Sequence, residues 1–62
     1  MGVMTLFRIT PRGSSECVSY TKSMACALQL RALANSNGYD VEIRKMTKRD
    51  VPIGEMELVN EL

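Results

Sequence analysis

Residues 21–38, TKSMACALQLRALANSNG, are the most informative part of this sequence. Alanine, leucine, methionine, glutamine and arginine are strong helix formers, so the stretch predicts an α-helix. Thr21 or Ser23 is suited to accept a hydrogen bond from a backbone N–H at the start of the helix. Asn37 or Gly38 is suited to the left-handed conformation that ends a helix.

Apolar residues lie on two sides of this predicted helix. At about 100° per residue, the first face consists of Cys26, Ala27, Leu30, Leu33 and Ala34. The second face consists of Met24, Ala25, Leu28 and Ala32. A surface helix of a single domain usually has one apolar stripe. The second stripe therefore predicts another packing partner, either the C-terminal segment of this chain or another protein chain.

The residues before the helix predict two strands joined by a turn. Residues 3–10, VMTLFRIT, alternate between two faces, with Phe7 and Ile9 on one and Met4 and Leu6 on the other. Residues 11–15, PRGSS, predict a turn in which Gly13 supplies a positive φ. Residues 16–20, ECVSY, fit a short return strand.

The residues after the helix predict a third strand and an α+β fold. In residues 39–46, YDVEIRKM, the side chains of Tyr39, Val41 and Ile43 are expected to face inward and the charged residues between them outward. The element order is then ββαβ. The simplest arrangement is a mainly antiparallel three-stranded sheet, with the third strand beside the first and the helix across one face.

The C-terminal residues differ in charge from the rest of the chain. Residues 1–49 hold eight basic and three acidic residues, a formal charge of +5, and residues 50–62 hold four acidic residues and no base, a charge of −4. We expect residues 1–49 to form the ββαβ domain, and residues 50–62 to pack on it or on a partner chain. Residues 47–52 predict a polar linker, and residues 53–62, IGEMELVNEL, fit a short helix or a strand equally well.

The small size of the chain predicts a homo-oligomer, most simply a symmetric dimer. A chain of 62 residues buries only about 60% of its unfolded surface and is marginally stable. The chain contains no histidine, and Cys17 and Cys26 are expected to be reduced thiols, with Cys26 buried. The expected interface comprises Met4, Leu6, Met24, Leu28, Ala32, Met56, Leu58, Val59 and Leu62.

The sequence favours a protein without catalytic activity, metal or cofactor. Without histidine, neither cysteine has a base to generate a thiolate. No phosphate-binding glycine motif or paired acidic motif is present. No apolar run approaches the roughly 20 residues of a membrane span, and the apolar N-terminus has no basic region of a signal peptide. We therefore expect a cytoplasmic protein that does not contact the membrane.

The run Arg44-Lys45-Met46-Thr47-Lys48-Arg49 supports an alternative function. Its four basic residues are suited to contact phosphates, which would give salt-dependent nucleic-acid binding. On a strand, however, Arg44 and Lys45 point to opposite faces, and no aromatic residue accompanies them. The favoured interpretation of this run is a solvated charged edge or a set of salt bridges with the acidic C-terminal segment.

The layout from Leu6 to Arg44 resembles that of small accessory proteins of bacteriophages and mobile elements. The resemblance rests on the strand–turn–strand, the Thr/Ser cap, the Ala/Leu helix, the Asn-Gly stop and the strand Gly-Tyr-Asp-Val-Glu-Ile. Some members of that group bind and inhibit host enzymes or defence systems. The resemblance implies a non-catalytic protein-interaction module, an inhibitor or adaptor that acts on a host protein, and the residues themselves predict that it does so as a homo-oligomer. It assigns no functional residue.

Overall fold

The computed structural model describes residues 4–13 and 18–62 as a three-stranded sheet with a helix on one face and a C-terminal segment on the other. Its elements are β1 (Thr5–Pro11), β2 (Ser19–Thr21), α1 (Met24–Ser36), β3 (Val41–Thr47) and α2 (Met56–Asn60). The strand order is β2-β1-β3, and both pairs are antiparallel. This arrangement confirms the α+β, ββαβ prediction. The predictions for Val3, residues 14–15, Glu16 and Cys17 lie outside the described residues.

Helix α1 begins and ends at residues suited to those positions. The Ser23 hydroxyl accepts a hydrogen bond from the Cys26 N–H at 3.3 Å, so Ser23 is the N-cap. Gly38 follows the last turn with φ of +84°, and its N–H donates to the Asn35 carbonyl at 3.0 Å. Only glycine adopts this backbone conformation without strain.

The two faces of the sheet bury two separate apolar clusters. Odd-numbered residues of β1, Phe7 and Ile9, pack with Ala27 of α1 and Val41 of β3. Even-numbered Leu6 lies on the opposite face, where it packs with Tyr20, Val51 and Val59. The predicted alternation of β1 is thereby confirmed for the described residues.

The C-terminal segment is helical rather than extended. Two 3₁₀ turns, Lys48–Asp50 and Ile53–Glu55, lead into α2. Helical spacing brings Val59 onto the cluster that contains Leu6, with Met56 packed at its margin. The expected linker therefore contains regular turns, and its end supplies the buried Val51.

Two predicted burial positions are wrong. Tyr39 is 66% exposed, because its N–H donates to the Ala34 carbonyl at 2.9 Å and it still belongs to the turn before β3. Cys26 is exposed. It lies about 100° around the helix from Ala27, on a flank that does not reach the sheet.

Across residues 4–13 and 18–62, neither helix has the length and apolar character needed to cross a bilayer.

Candidate protein-interaction surface

Helix α1 contacts the sheet through its smallest side chains. Ala27 is 0% exposed and Ala34 is half-buried, and they are the only two residues of the helix that are not exposed. Helical geometry places Ala34 about 20° from Ala27, so they form one narrow line of contact. The four large apolar side chains of α1 all remain partly exposed, at 41% to 61%.

The outward-facing apolar residues of α1 form two flanks on either side of the line Ala27–Ala34. Leu33 is 61% exposed, and Leu30 and Cys26 lie on the same flank. Met24 is 47% exposed and shares the other flank with Leu28. We call the residues of both flanks, together with the exposed Ala25 and Ala32, the outer surface of α1. Four large apolar side chains in one 13-residue helix are more than the scattered surface hydrophobes of an ordinary monomer.

The charge on this surface is sparse and of one sign. Arg31 is the only charged residue of α1, and the helix contains no acidic residue. Lys22, which is exposed, precedes its N-terminus. The outer surface of α1 is therefore mainly apolar, with the exposed polar residues Gln29 and Ser36 between its two flanks and a positive margin.

The structure divides the predicted interface residues between opposite sides of the sheet. Met24, Leu28 and Ala32 lie on α1, while the predicted C-terminal residues belong to the other side. Leu6 is 0% exposed and Val59 is buried. As long as the chain keeps this fold, neither offers a partner any appreciable surface. Outside the core are the exposed Met4, Leu58 and Leu62 and the half-buried Met56.

The helical pattern does not place Leu30, Leu33 or Cys26 at the surface, because it groups both leucines with Cys26, which was expected to be buried, on the first apolar face. Their helical spacing correctly defined a face. The missing information was that small residues within that same face make the closest contact with the sheet. The alanines at positions 27 and 34 were the available signal.

An ion pair holds the C-terminal segment on the sheet. The Arg8 Nε–H and Nη2–H donate to the two carboxylate oxygens of Glu55 at 2.9 and 3.1 Å. The Tyr20 hydroxyl donates to the same carboxylate. These hydrogen bonds, from Arg8 first and Tyr20 second, lower the pKa of Glu55. Burial, followed by the bond to Glu55, raises the pKa of Tyr20.

The basic run of residues 44–49 is spread over several directions. The register places Arg44 beside Arg8 on the face of the C-terminal segment, and Lys45 beside Phe7 on the face of α1. Lys48 and Arg49 are exposed in a 3₁₀ turn that ends at Asp50. A nucleic-acid backbone would meet these charges on different sides of the sheet.

A shallow concavity of about 130 Å³ lies at the end of the sheet that the C-terminal segment leaves open. Arg8, Arg12 and Arg44 line it together with Glu42. Each arginine already faces a carboxylate: Arg8 binds Glu55, Arg12 binds Asp40 at 2.7 Å, and Arg44 lies 3.9 Å from Glu42. The concavity therefore has little unbalanced charge to attract an anion.

No family model matches the chain, and neither a curated protein nor a solved structure matches it.

Proposed function

We propose that the protein is a non-catalytic interaction module that binds a partner protein through the outer surface of α1 and acts as a homo-oligomer. The observation that carries the proposal is the orientation of α1. The helix rests on Ala27 and Ala34 and leaves Met24, Leu28, Leu30 and Leu33 exposed. Exposed apolar patches of this kind usually mark interaction sites.

The chemistry of the surface defines the chemistry of its partner. Large apolar side chains on both flanks fit an apolar groove, in the way amphipathic helices bind through residues at helical spacing. Arg31 and Lys22 are the charges nearest this surface along the chain. The partner is accordingly a host protein with an apolar recess and acidic residues at its rim, on which this chain acts as an inhibitor or adaptor.

The cytoplasm is the proposed location. Cys26 is an exposed free thiol, and such a thiol persists in a reducing compartment. Nucleic-acid binding through residues 44–49 is the alternative function, and the same experiment distinguishes the two.

Cys26 offers a direct test because it lies on the outer surface of α1. In a Cys17→Ser background it is the only thiol, so a photo-crosslinker attached there samples partners of this surface. We expect a specific protein adduct in an extract of the native cells, competed by excess unlabelled chain. Leu33→Glu should lower its yield about tenfold or more, because it places a charge in a desolvated contact.

Ile53→Glu is the matched control. Ile53 is 93% exposed and lies outside α1, so the same change there should leave the adduct unchanged. An adduct equally strong with Leu33→Glu would contradict the proposal, as would one that nuclease removes. With the partner purified, an apolar interface predicts little salt dependence, whereas phosphate contacts predict an affinity that falls by about 0.9 log units per log unit of salt for each phosphate neutralised.

A further inference from the structure

The outer edge of β3 forms one side of the three-stranded sheet. In the part of the chain that the structure describes, β3 is an edge strand that pairs with β1 on one side. The Arg12 N–H donates to the Asp40 carbonyl at 2.8 Å and the Lys48 N–H to the Met4 carbonyl at 3.3 Å, at the two ends of this pairing. In an antiparallel pair the backbone groups of alternate residues point to the same side. Even-numbered residues of β3 therefore bond to β1, and odd-numbered residues direct their N–H and C=O groups outward.

The outward edge is closed at one end and open along the rest. The Thr47 N–H donates to the Asp50 carboxylate at 3.2 Å, and the Thr47 hydroxyl donates to it at 2.9 Å. The remaining outward groups are the N–H and C=O of Val41, Ile43 and Lys45. Among the residues that the structure describes, none hydrogen-bonds to these groups. The open stretch is symmetric about Ile43.

We infer that this edge pairs antiparallel with the same edge of a second copy of the chain, with Ile43 opposite Ile43 of the second copy. In this register Val41 of each copy lies opposite Lys45 of the other. All the open donors and acceptors of both chains are then used, in about six interchain hydrogen bonds. Two three-stranded sheets become one continuous sheet.

The charges of β3 favour this register over its neighbours. Glu42 falls opposite Arg44 of the second copy, twice by symmetry, in the closer type of antiparallel pair. The two side chains already lie on the same face of one chain, 3.9 Å apart. A symmetry axis at Glu42, Arg44 or Lys45 would instead place like charges opposite each other, which destabilises pairing.

Charged residues on an edge strand usually oppose pairing with other chains. On β3, Glu42 and Arg44 are placed symmetrically about Ile43, so these two charges are complementary to themselves in one register. Residues opposite each other in a sheet project to the same face. The two α1 helices of the dimer would therefore lie on one side, so that two outer surfaces are presented together.

The inference rests on the homo-oligomer of the proposed function and names its surface. Sedimentation equilibrium of the full chain, from micromolar to millimolar concentration, should give a monomer–dimer transition. Glu42→Arg should weaken the dimer about tenfold, because two attractive pairs become repulsive. The double variant Glu42→Arg/Arg44→Glu should return within about threefold of the original affinity.

Proline at position 45 tests the backbone pairing separately. The Lys45 N–H points outward, so Lys45→Pro removes an interchain donor and keeps the bonds to β1, as edge-strand prolines do. The dimer should be lost, whereas Lys45→Ala should retain it. If Lys45→Pro lowers the melting temperature of the chain, Glu42→Arg and the double variant Glu42→Arg/Arg44→Glu provide the test of the interface.

Three outcomes would overturn the inference. A monomer at millimolar concentration removes both this dimer and the proposed homo-oligomer. A dimer unaffected by Glu42→Arg and Lys45→Pro but dissociated by Leu28→Glu lies at α1, and leaves the proposed function standing. A double variant as weak as Glu42→Arg alone shows that residues 42 and 44 do not face each other across the interface.

Discussion

Glu55 is the residue that orients the C-terminal segment. Its carboxylate receives two hydrogen bonds from Arg8 and one from Tyr20, and the Arg8 guanidinium is also held by the Thr10 hydroxyl at 3.0 Å. The Arg8 and Glu55 side chains are only about one-fifth exposed, at 21% and 22%. A bidentate geometry of this kind fixes direction as well as distance. Residues 1–49, which are basic overall, thus attract the acidic C-terminal segment at one defined point, the Arg8–Glu55 pair.

Neutralising Glu55 should lower stability and change its pH dependence. Glu55→Gln retains the shape of the side chain and removes the charge. We expect a loss of about 1 kcal/mol at pH 7, or a melting temperature lower by roughly 4–8 °C. The pKa of Glu55 is lowered in the folded chain. Its stabilisation is therefore present above the ordinary carboxyl pKa of about 4.3 and is lost as the pH falls below that value.

Thermal melts of both chains between pH 7 and pH 2 measure this effect. The difference between wild type and Glu55→Gln should shrink below about pH 4.3. The melting curves of the variant are subtracted from those of wild type because Asp50 also contributes to the pH dependence of stability. Hydrogen bonds from Thr47 lower the pKa of Asp50 in both chains. Glu57→Gln, on the exposed side of α2, is the matched control and should melt close to wild type at pH 7. A difference constant with pH would show that the Glu55 charge contributes nothing.

Among the elements, α1 shows both how far the sequence predicts the fold and where it stops. Helix formers, the Ser23 cap and the Gly38 stop give the correct boundaries within a few residues. The 3.6-residue period also identifies two apolar faces. Periodicity carries no information on how deeply each face is buried, so it does not show that Leu30 and Leu33 are exposed. How deeply each face of α1 is buried depends on Ala27 and Ala34, the small residues at the contact with the sheet.

β3 shows a second limit of pattern reading. The alternation of residues 39–46 extends one step before the strand that begins at Val41. Tyr39 has the residue type of an inward position, yet its N–H is bonded to α1. The hydrogen bond from the Tyr39 N–H to the Ala34 carbonyl keeps Tyr39 out of the strand, and the alternating pattern of the sequence does not indicate this bond. The pairing of β3 with β1 followed correctly from topology alone.

Replacing Gly38 tests the stop of α1. An alanine side chain at Gly38 would meet no atom within 4 Å, but the residue has φ of +84°. The cost is then purely that of the left-handed backbone, about 1–2 kcal/mol for a residue with a Cβ. We expect Gly38→Ala to lower the melting temperature by roughly 4–16 °C.

Gly54→Ala provides the matched control for that variant. Gly54 also has open space around its Cβ position, and it lies in a 3₁₀ turn without a positive φ. Alanine there should leave stability unchanged or raise it by up to about 1 kcal/mol through the unfolded state. Equal melting temperatures for the two variants would mean that the backbone at Gly38 does not limit stability.

For the molecule as a whole, the sheet is covered on both faces by the chain's own residues. The charge asymmetry and the apolar residues of the C-terminal segment pointed to packing on the domain or on a partner chain. Whether the segment was helix or strand did not follow from residues 53–62, because so short a segment fits both periods. The choice depends on the cluster around Leu6, onto which α2 places Val59. The proposed interaction surface on α1 becomes apparent only once the contact of the helix with the sheet is known.

Removing the C-terminal segment should therefore unfold the chain. Truncation after Arg49 deletes Val51 and Val59, two of the four buried residues in the cluster around Leu6. Each buried valine contributes roughly 1.5–3 kcal/mol, and a domain of this size has little stability to spare. The truncation also leaves Arg8 without its carboxylate partner. We expect residues 1–49 to lose cooperative melting, measured by circular dichroism.

Truncation after Asn60 separates loss of packing from loss of length. It removes Glu61 and Leu62, both exposed, and keeps the buried Val59. This shorter change should leave the melting temperature within a few degrees, because surface residues contribute little. If residues 1–49 melted cooperatively at the wild-type temperature, the segment would be dispensable for the fold. Its apolar residues would then be available to a partner, and the face of the sheet around Leu6 would become a second candidate interaction surface.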